Sequence, residues 1–188
     1  MESSFETAVS FEPEYVYADL KYRIGAALID SLVLIPLNLI IQYNNIYLKN
    51  NNVMIVGTVL TILYKPLMEW LNNGATVGKK IMKLQVVTAD LQPISFAEAF
   101  LRSCFVIMFG VGMLIAQYLL FQSPEYLAIK DPEAFLKFIQ DATILNRISL
   151  VSYLVLFLDA VFLITNLQRR SLHDLIANTV VIRKIKKA

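Results

Sequence analysis

Charge is scarce in this sequence. Asp, Glu, Lys and Arg together make up 17% of its 188 residues, where a soluble domain carries roughly 25%. The charges it has stand between long apolar runs, a pattern that fits lipid-embedded segments and leaves no stretch for a soluble domain of any size. A single cysteine, Cys104, excludes an internal disulfide, and its apolar surroundings make it a small buried hydrophobe. With one Cys and one His, no zinc cluster is available. The net charge of +2 is too small to point to nucleic acid. A cleavable signal peptide is missing as well: Glu2, Glu6, Glu12, Glu14 and Asp19 stand where a basic region and an apolar core are needed. Residues 1–20 are therefore expected as an acidic tail, with the first hydrophobic helix serving as the insertion signal.

What the sequence does have is apolar length. Hydrophobic residues make up 57% and mean hydropathy is +0.58. Four runs approach the roughly 20 residues that span a bilayer: Ile24–Tyr47, Val53–Leu71, Ala97–Phe121 and Leu150–Leu167. Backbone in lipid must satisfy its own hydrogen bonds, so the runs predict helices. Lys21, Arg23, Lys79, Lys80, Lys83, Arg102, Arg169, Arg170, Arg183, Lys184, Lys186 and Lys187 fall on one side of that arrangement. Lys49, Lys130, Lys137 and Arg147 fall on the other. Twelve basic residues against four predict both termini in the cytoplasm, which needs an even number of spans.

The connections have character of their own. Lys83–Thr88 and Thr179–Ile182 are β-branched and read as two short strands that pair on the cytoplasmic face. Ser95 and Glu98 have capping-box spacing at the start of the third run, and Ser171 and Asp174 repeat it with Asp. On the outer side, Ser123-Pro124-Glu125 and Asp131-Pro132-Glu133 each look like a helix start. After the second, Phe135, Phe138, Ile139 and Ala142 share one helical face. That predicts an amphipathic helix, either lying on the outer leaflet or packed on the bundle. The expected architecture is an all-α membrane protein: an acidic tail over 1–20, a four-helix transmembrane domain over 21–182 with a short cytoplasmic β-like segment and an outer amphipathic helix, and a basic tail over 183–188.

Familiar catalytic patterns are absent. In Gly74-Ala75-Thr76-Val77-Gly78-Lys79-Lys80 the glycines are too close for a phosphate loop and Lys80 replaces its hydroxyl, so the glycines are expected to turn the chain out of the second helix. The lone histidine, His173, reads as a surface or capping residue, with proton handling as the sharper alternative. The uncommon feature is ionisable residues inside the apolar runs: Asp30, Lys65, Glu69 and Asp159. At about 1.5 Å per residue, Asp30 and Lys65 lie roughly 9 Å and Asp159 roughly 12 Å from the cytoplasmic edge. This predicts one buried Asp30–Lys65–Asp159 cluster, with Lys65 and Glu69 as an i,i+4 pair. Pro36 and Pro66 free the carbonyls of Leu32 and Ile62, which bring either ion coordination or a simple kink.

Three blocks also carry a resemblance. Arg23-Ile24-Gly25-Ala26-Ala27-Leu28-Ile29-Asp30, Gly74–Val87 and Leu172–Val181 resemble the opening, the glycine-and-lysine loop and the closing motif of the RDD family of membrane proteins. The family is named for one arginine and two aspartates, and the resemblance matches these to Arg23, Asp30 and Asp174. Ala177-Asn178 departs from the more usual alanine-glycine. The resemblance implies a bacterial membrane protein of a family suspected of moving ions or small molecules.

The expected function is a transporter or transporter component of the bacterial cytoplasmic membrane, coupled to a proton or small cation. Arg23, Asp30 and Asp174 form its polar site, with Lys65, Glu69 and Asp159 as the intramembrane charge cluster. Arg23 and Asp174 are expected as partners at the cytoplasmic mouth. The rival is a non-transporting scaffold that assembles another membrane complex. No cofactor is expected, no metal ligand set is defined, and no nucleophile–base pair supports an enzyme. The expected partners are the lipid bilayer and either a second copy or another membrane protein.

Overall fold

The computed structural model describes residues 15–184. Most of the acidic tail (1–14) and the last four residues of the basic tail (185–188) lie outside the described residues. The fold is mostly helical with one small sheet. In chain order it runs β1 (Tyr15–Tyr17), α1 (Leu20–Tyr43), a π-helical turn (Asn44–Leu48), α2 (Asn51–Leu71), α3 (Val77–Ile81) and β2 (Leu84–Thr88). It continues with α4 (Phe96–Arg102), α5 (Cys104–Leu120), α6 (Pro124–Ala128), α7 (Pro132–Asp141), α8 (Thr143–Thr165), α9 (Leu172–Ile176) and β3 (Thr179–Lys184).

Among the described residues, α1 with its π turn, α2 and α8 are each long and apolar enough to cross a membrane. A fourth span exists if α4 and α5 count as one broken helix, and they meet at an angle of 63°. The continuous third helix expected over Ala97–Phe121 is therefore wrong. The chain bends at Ser103, which follows α4 and precedes α5. The physical reason is Arg102: an apolar helix running straight would leave its guanidinium in lipid, whereas the bend buries it among carboxylates. Both prolines sit inside continuous helices, Pro36 in α1 and Pro66 in α2. The fourth run begins earlier than expected, so Arg147 is a residue of α8.

The two expected strands exist and pair antiparallel, Leu84 opposite Arg183 through Thr88 opposite Thr179. A third strand was not anticipated: β1 pairs with β3, giving the order β1-β3-β2. Residues 15–17, expected in the tail, are thus an edge strand, and Ala18 also donates its N–H to the Val181 carbonyl at 2.9 Å. Below the sheet, Ala18, Ala26, Leu84, Val86, Ile94, Ala99 and Val181 form one apolar core. This is the sheet end of the bundle.

The far end has its own core of Met54, Phe121, Tyr126, Ile129 and Phe135. Ser123 and Asp131 cap α6 and α7 as their spacing predicts, each with Pro in the first turn. The Phe121 and Tyr126 rings stack at 4.0 Å and Phe135 meets Phe121 edge-on. The apolar face of α7 therefore packs on the bundle. Lys49 ties this end together, donating to the carbonyls of Tyr126, Leu127 and Ile129 at 3.1, 2.7 and 2.5 Å.

Candidate functional site

The polar side chains gather at the sheet end, and they divide into a buried ion-pair chain and a cavity wall. The chain begins at Arg23 in the first turns of α1. Its Nη1 donates to Asp174 Oδ2 at 2.6 Å, while Nη2 and Nε donate to the carbonyls of Arg169 and Ala18 at 2.5 and 3.3 Å. Asp174, on α9, is fully buried and also accepts from the Ser171 backbone N–H at 3.1 Å, completing the expected capping box. Its second oxygen takes Arg102 Nη1, which also donates to Thr179 Oγ1 at 2.6 Å. Arg102 Nε continues to Glu69 Oε2 at 3.1 Å, and Lys79 Nζ meets Glu69 Oε1 at 2.5 Å. Charges alternate along Arg23, Asp174, Arg102, Glu69 and Lys79, and consecutive members belong to α1, α9, α4, α2 and α3. Burial alone pushes the Asp174 carboxyl up, but Arg102 and Arg23 together hold it well below the usual carboxylate range. Burial pushes the Lys79 ammonium down to about 8, with Glu69 opposing.

Glu69 therefore pairs with Lys79 and Arg102, and the expected i,i+4 pair with Lys65 is not formed. The reason is geometric: Glu69 is wholly buried toward α3 and α4, where two cations already meet both its oxygens. Arg102 was missed as a site residue. The charge pattern places it only on the basic side beside the third run, although an arginine inside an apolar run is itself the signal.

Asp30 does something else. It accepts from Tyr64 Oη at 2.8 Å, Thr76 Oγ1 at 2.6 Å and the Gly78 N–H at 2.8 Å. It thus ties the loop before α3, and the first turn of α3, to the side of α1. The glycines make that approach feasible. A Cβ at Gly78 would lie 2.0 Å from the Ala26 carbonyl oxygen. Gly74 has φ +82 and its Cβ would lie 2.0 Å from the Val86 carbonyl oxygen. The loop turns the chain out of α2, as expected, and it also lets α3 press on α1.

The expected Asp30–Lys65–Asp159 cluster does not form as direct pairs. Asp30 is bound to α3 and its loop. Asp159, on α8, accepts from the His173 N–H at 3.1 Å and from His173 Nδ1 at 2.8 Å. Lys65 has no carboxylate within 4.0 Å among the described residues. The three instead line one cavity of about 460 Å³, walled by α1 and α8 and bounded by α2, with Arg23, Lys79, Arg102 and His173 also on its surface. Depth along a helix does not fix which way each side chain is drawn.

His173 is neither a surface residue nor only a cap. Burial pushes its imidazole down, the Lys65 charge adds to this, and Asp159 opposes. Ser171 Oγ lies 3.0 Å from Nδ1 and 3.3 Å from Nε2 of His173. Nearly equidistant from both nitrogens, the hydroxyl lies along neither lone pair, so it lacks the alignment of an activated nucleophile.

A second, open groove of about 330 Å³ lies nearer the far end, lined by Asn38, Gln42 and Asn45 of the first helix and its π turn, Thr58 of α2 and Gln117 of α5. Thr61 and Val106 line both it and the first cavity. The signal for this groove was present in the spacing: Asp30, Leu34, Asn38 and Gln42 recur every four residues on α1. Thr58, Thr61 and Lys65 do the same at three and four on α2. Among the described residues no three His, Cys, Asp or Glu side chains converge as a metal site.

These features define a membrane-embedded helical protein whose spans are bolted at one end by a buried ion-pair chain and a three-stranded sheet. The RDD family's sequence pattern matches residues 17–178. The chain belongs to the RDD family. It is similar to the uncharacterized protein YckC of Bacillus subtilis (strain 168), 30% identical over 112 residues that cover 56% of this chain and 73% of that protein. No solved structure matches the chain. Arg23 and Asp174, which the resemblance matches to the family's arginine and second aspartate, are direct partners, whereas Asp30, matched to the first aspartate, binds elsewhere.

Proposed function

We propose that this protein is a small solute carrier, or the membrane subunit of one, in a bacterial cytoplasmic membrane. In this reading it has four spans, and the sheet and both termini are cytoplasmic. One observation carries it: the charged cavity at the sheet end and the amide-lined groove toward the far end abut at Thr61 and Val106. Together they set polar side chains at intervals from the sheet end toward the far end of the bundle, which lipid-facing helices do not need for stability. The ion-pair chain from Arg23 to Lys79 and the Asp30 anchor are rigid parts that hold the cytoplasmic mouth. The His173–Asp159 pair is the proton-handling element, because a neutral imidazole against a carboxylate can take up one proton without leaving a bare charge. Purified protein in sealed vesicles should move protons or solute down an imposed gradient. His173→Gln should reduce proton movement at least tenfold, and vesicles no leakier than protein-free controls would refute the reading.

A second reading has its own observation. Asn38 and Gln42 are exposed on α1 beside the exposed apolar residues Ile35, Leu39 and Ile40, and intramembrane polar side chains almost always face protein or water. A partner helix laid on that face, from a second copy or another membrane protein, would satisfy them, as a scaffold requires. A cysteine at Asn38 in a Cys104→Ser background should then crosslink to a stoichiometric partner in native membranes, and only monomer would count against it.

A further inference from the structure

The groove toward the far end is polar, uncharged and uncovered. Asn38, Gln42 and Asn45 reach it from the first helix and its π turn, Thr58 from α2 and Gln117 from α5. No Asp, Glu, Lys, Arg or His lines it, and α8, which walls the sheet-end cavity, does not reach it. Among the described residues, the side chains of Asn38, Gln42, Thr58 and Gln117 make no hydrogen bond. Asn45 is only 4% exposed, and its side chain is bonded only through Oδ1, which accepts from Asn44, so Nδ2 is left to the groove. Asn38 and Gln42 stand exposed at the rim. Asn38 lies well inside the Leu20–Leu48 span, roughly 15 Å from its far end, a depth that belongs to hydrocarbon. Lipid chains offer these amides neither donor nor acceptor, and an ion would find no opposite charge on the wall.

Whatever covers the rim must therefore carry polar, uncharged groups at the same depth, where such groups are rare. A second copy carries them. Inserted with the same topology, and related to the first by a two-fold axis along the membrane normal, it presents Asn38 and Gln42 at the level where the first copy lacks partners. An amide both donates and accepts, so identical amides meeting across the axis complement each other, and uncharged faces do not repel. We propose that two copies of this chain pair in this way, the Asn38 and Gln42 amides of each completing the groove of the other. This names the partner in the reading that a helix covers these two residues, and it rests on that reading.

Full-length chains bearing two different tags, co-expressed in one membrane, test it. Ile35 and Ile40 are both exposed; Ile35 lies about one turn from Asn38, and Ile40 lies across α1 from it. In a Cys104→Ser background, Ile35→Cys should crosslink copies bearing both tags and Ile40→Cys should not. Energy transfer between labelled copies diluted into lipid gives the strength of pairing. Asn38→Leu with Gln42→Leu should weaken it about tenfold, the loss of two interhelical hydrogen bonds, with helix content by circular dichroism unchanged. Crosslinking through Ile40→Cys in place of Ile35→Cys would overturn the proposal on chains that keep both amides, whatever the double variant does. So would undiminished pairing in a folded double variant. A crosslink from Ile35→Cys to a different membrane protein would overturn the second copy and keep the covered face. Monomer alone from both positions would remove both.

Discussion

Arg102 is the middle of the ion-pair chain, and its removal is the most informative perturbation. Arg102→Met keeps the apolar stem and deletes the guanidinium. Two buried carboxylates and the Thr179 hydroxyl lose a donor. Breaking a buried pair from one side costs about 3–5 kcal/mol, chiefly because the remaining charge stays desolvated. Here each carboxylate keeps one cation, Arg23 on Asp174 and Lys79 on Glu69. The loss should therefore fall near the lower end, about 3 kcal/mol, roughly a hundredfold fall in the folded-to-unfolded ratio. Titrating SDS into mixed micelles and following helix content by circular dichroism measures it. A cycle with Asp174→Asn should then show a coupling of about 1–3 kcal/mol. Arg102→Lys should recover less than half, because an ammonium cannot bridge two carboxylates as a fork does. A loss under about 1 kcal/mol, or strict additivity with Asp174→Asn, would falsify the view that this chain locks the sheet end.

Three further outcomes follow from the same geometry. For topology, single cysteines at Asn52 and Asp90 in a Cys104→Ser background should label from outside intact cells only at position 52; labelling at 90 alone inverts the model. At the α1–α3 contact, Asp30→Asn leaves one acceptor oxygen for three donors and should cost about 1–3 kcal/mol. Gly78→Ala, which forces α3 off the Ala26 carbonyl, should cost more in the same SDS titration, and a neutral result at both positions would remove the anchoring role. For pH, His173 faces Asp159 from α8, Lys65 from α2, Arg102 from α4 and Asp174 on its own helix, and its proton affinity in the fold is below the ordinary value. The unfolded chain then binds the proton more readily, so stability should fall as pH drops below about 6.5. His173→Gln should flatten that slope, and an unchanged slope would assign it to other groups.

Apolar length made the spans legible, because lipid imposes its pattern on every residue of a helix. The strands of Leu84–Thr88 and Thr179–Ile182 were legible through β-branching, and the helix caps through their spacing. The Arg23–Asp174 pair was legible because both residues had to lie near one interface. The direction of each intramembrane side chain was not. Glu69 and Lys65 are four apart on one helix, yet Glu69 is drawn to Lys79 and Arg102 and Lys65 faces the cavity. That choice is made by α3 and α4, whose docking depends on Asp30, Gly78 and the bend at Ser103. The edge strand Tyr15–Tyr17 escaped notice because three residues beside an acidic head carry too little pattern to outweigh it.

The order β1-β3-β2 sets a schedule for synthesis. Both neighbours of β3 emerge from the ribosome before it does, and neither has the other as a partner. Asp174, which joins Arg23 to Arg102, is also made after both arginines. Until the last described residues are translated, the inserted helices hold two unpaired strand edges and two arginines without their shared carboxylate. Closure of this end therefore waits on Asp174 and β3, which follow all of their partners along the chain.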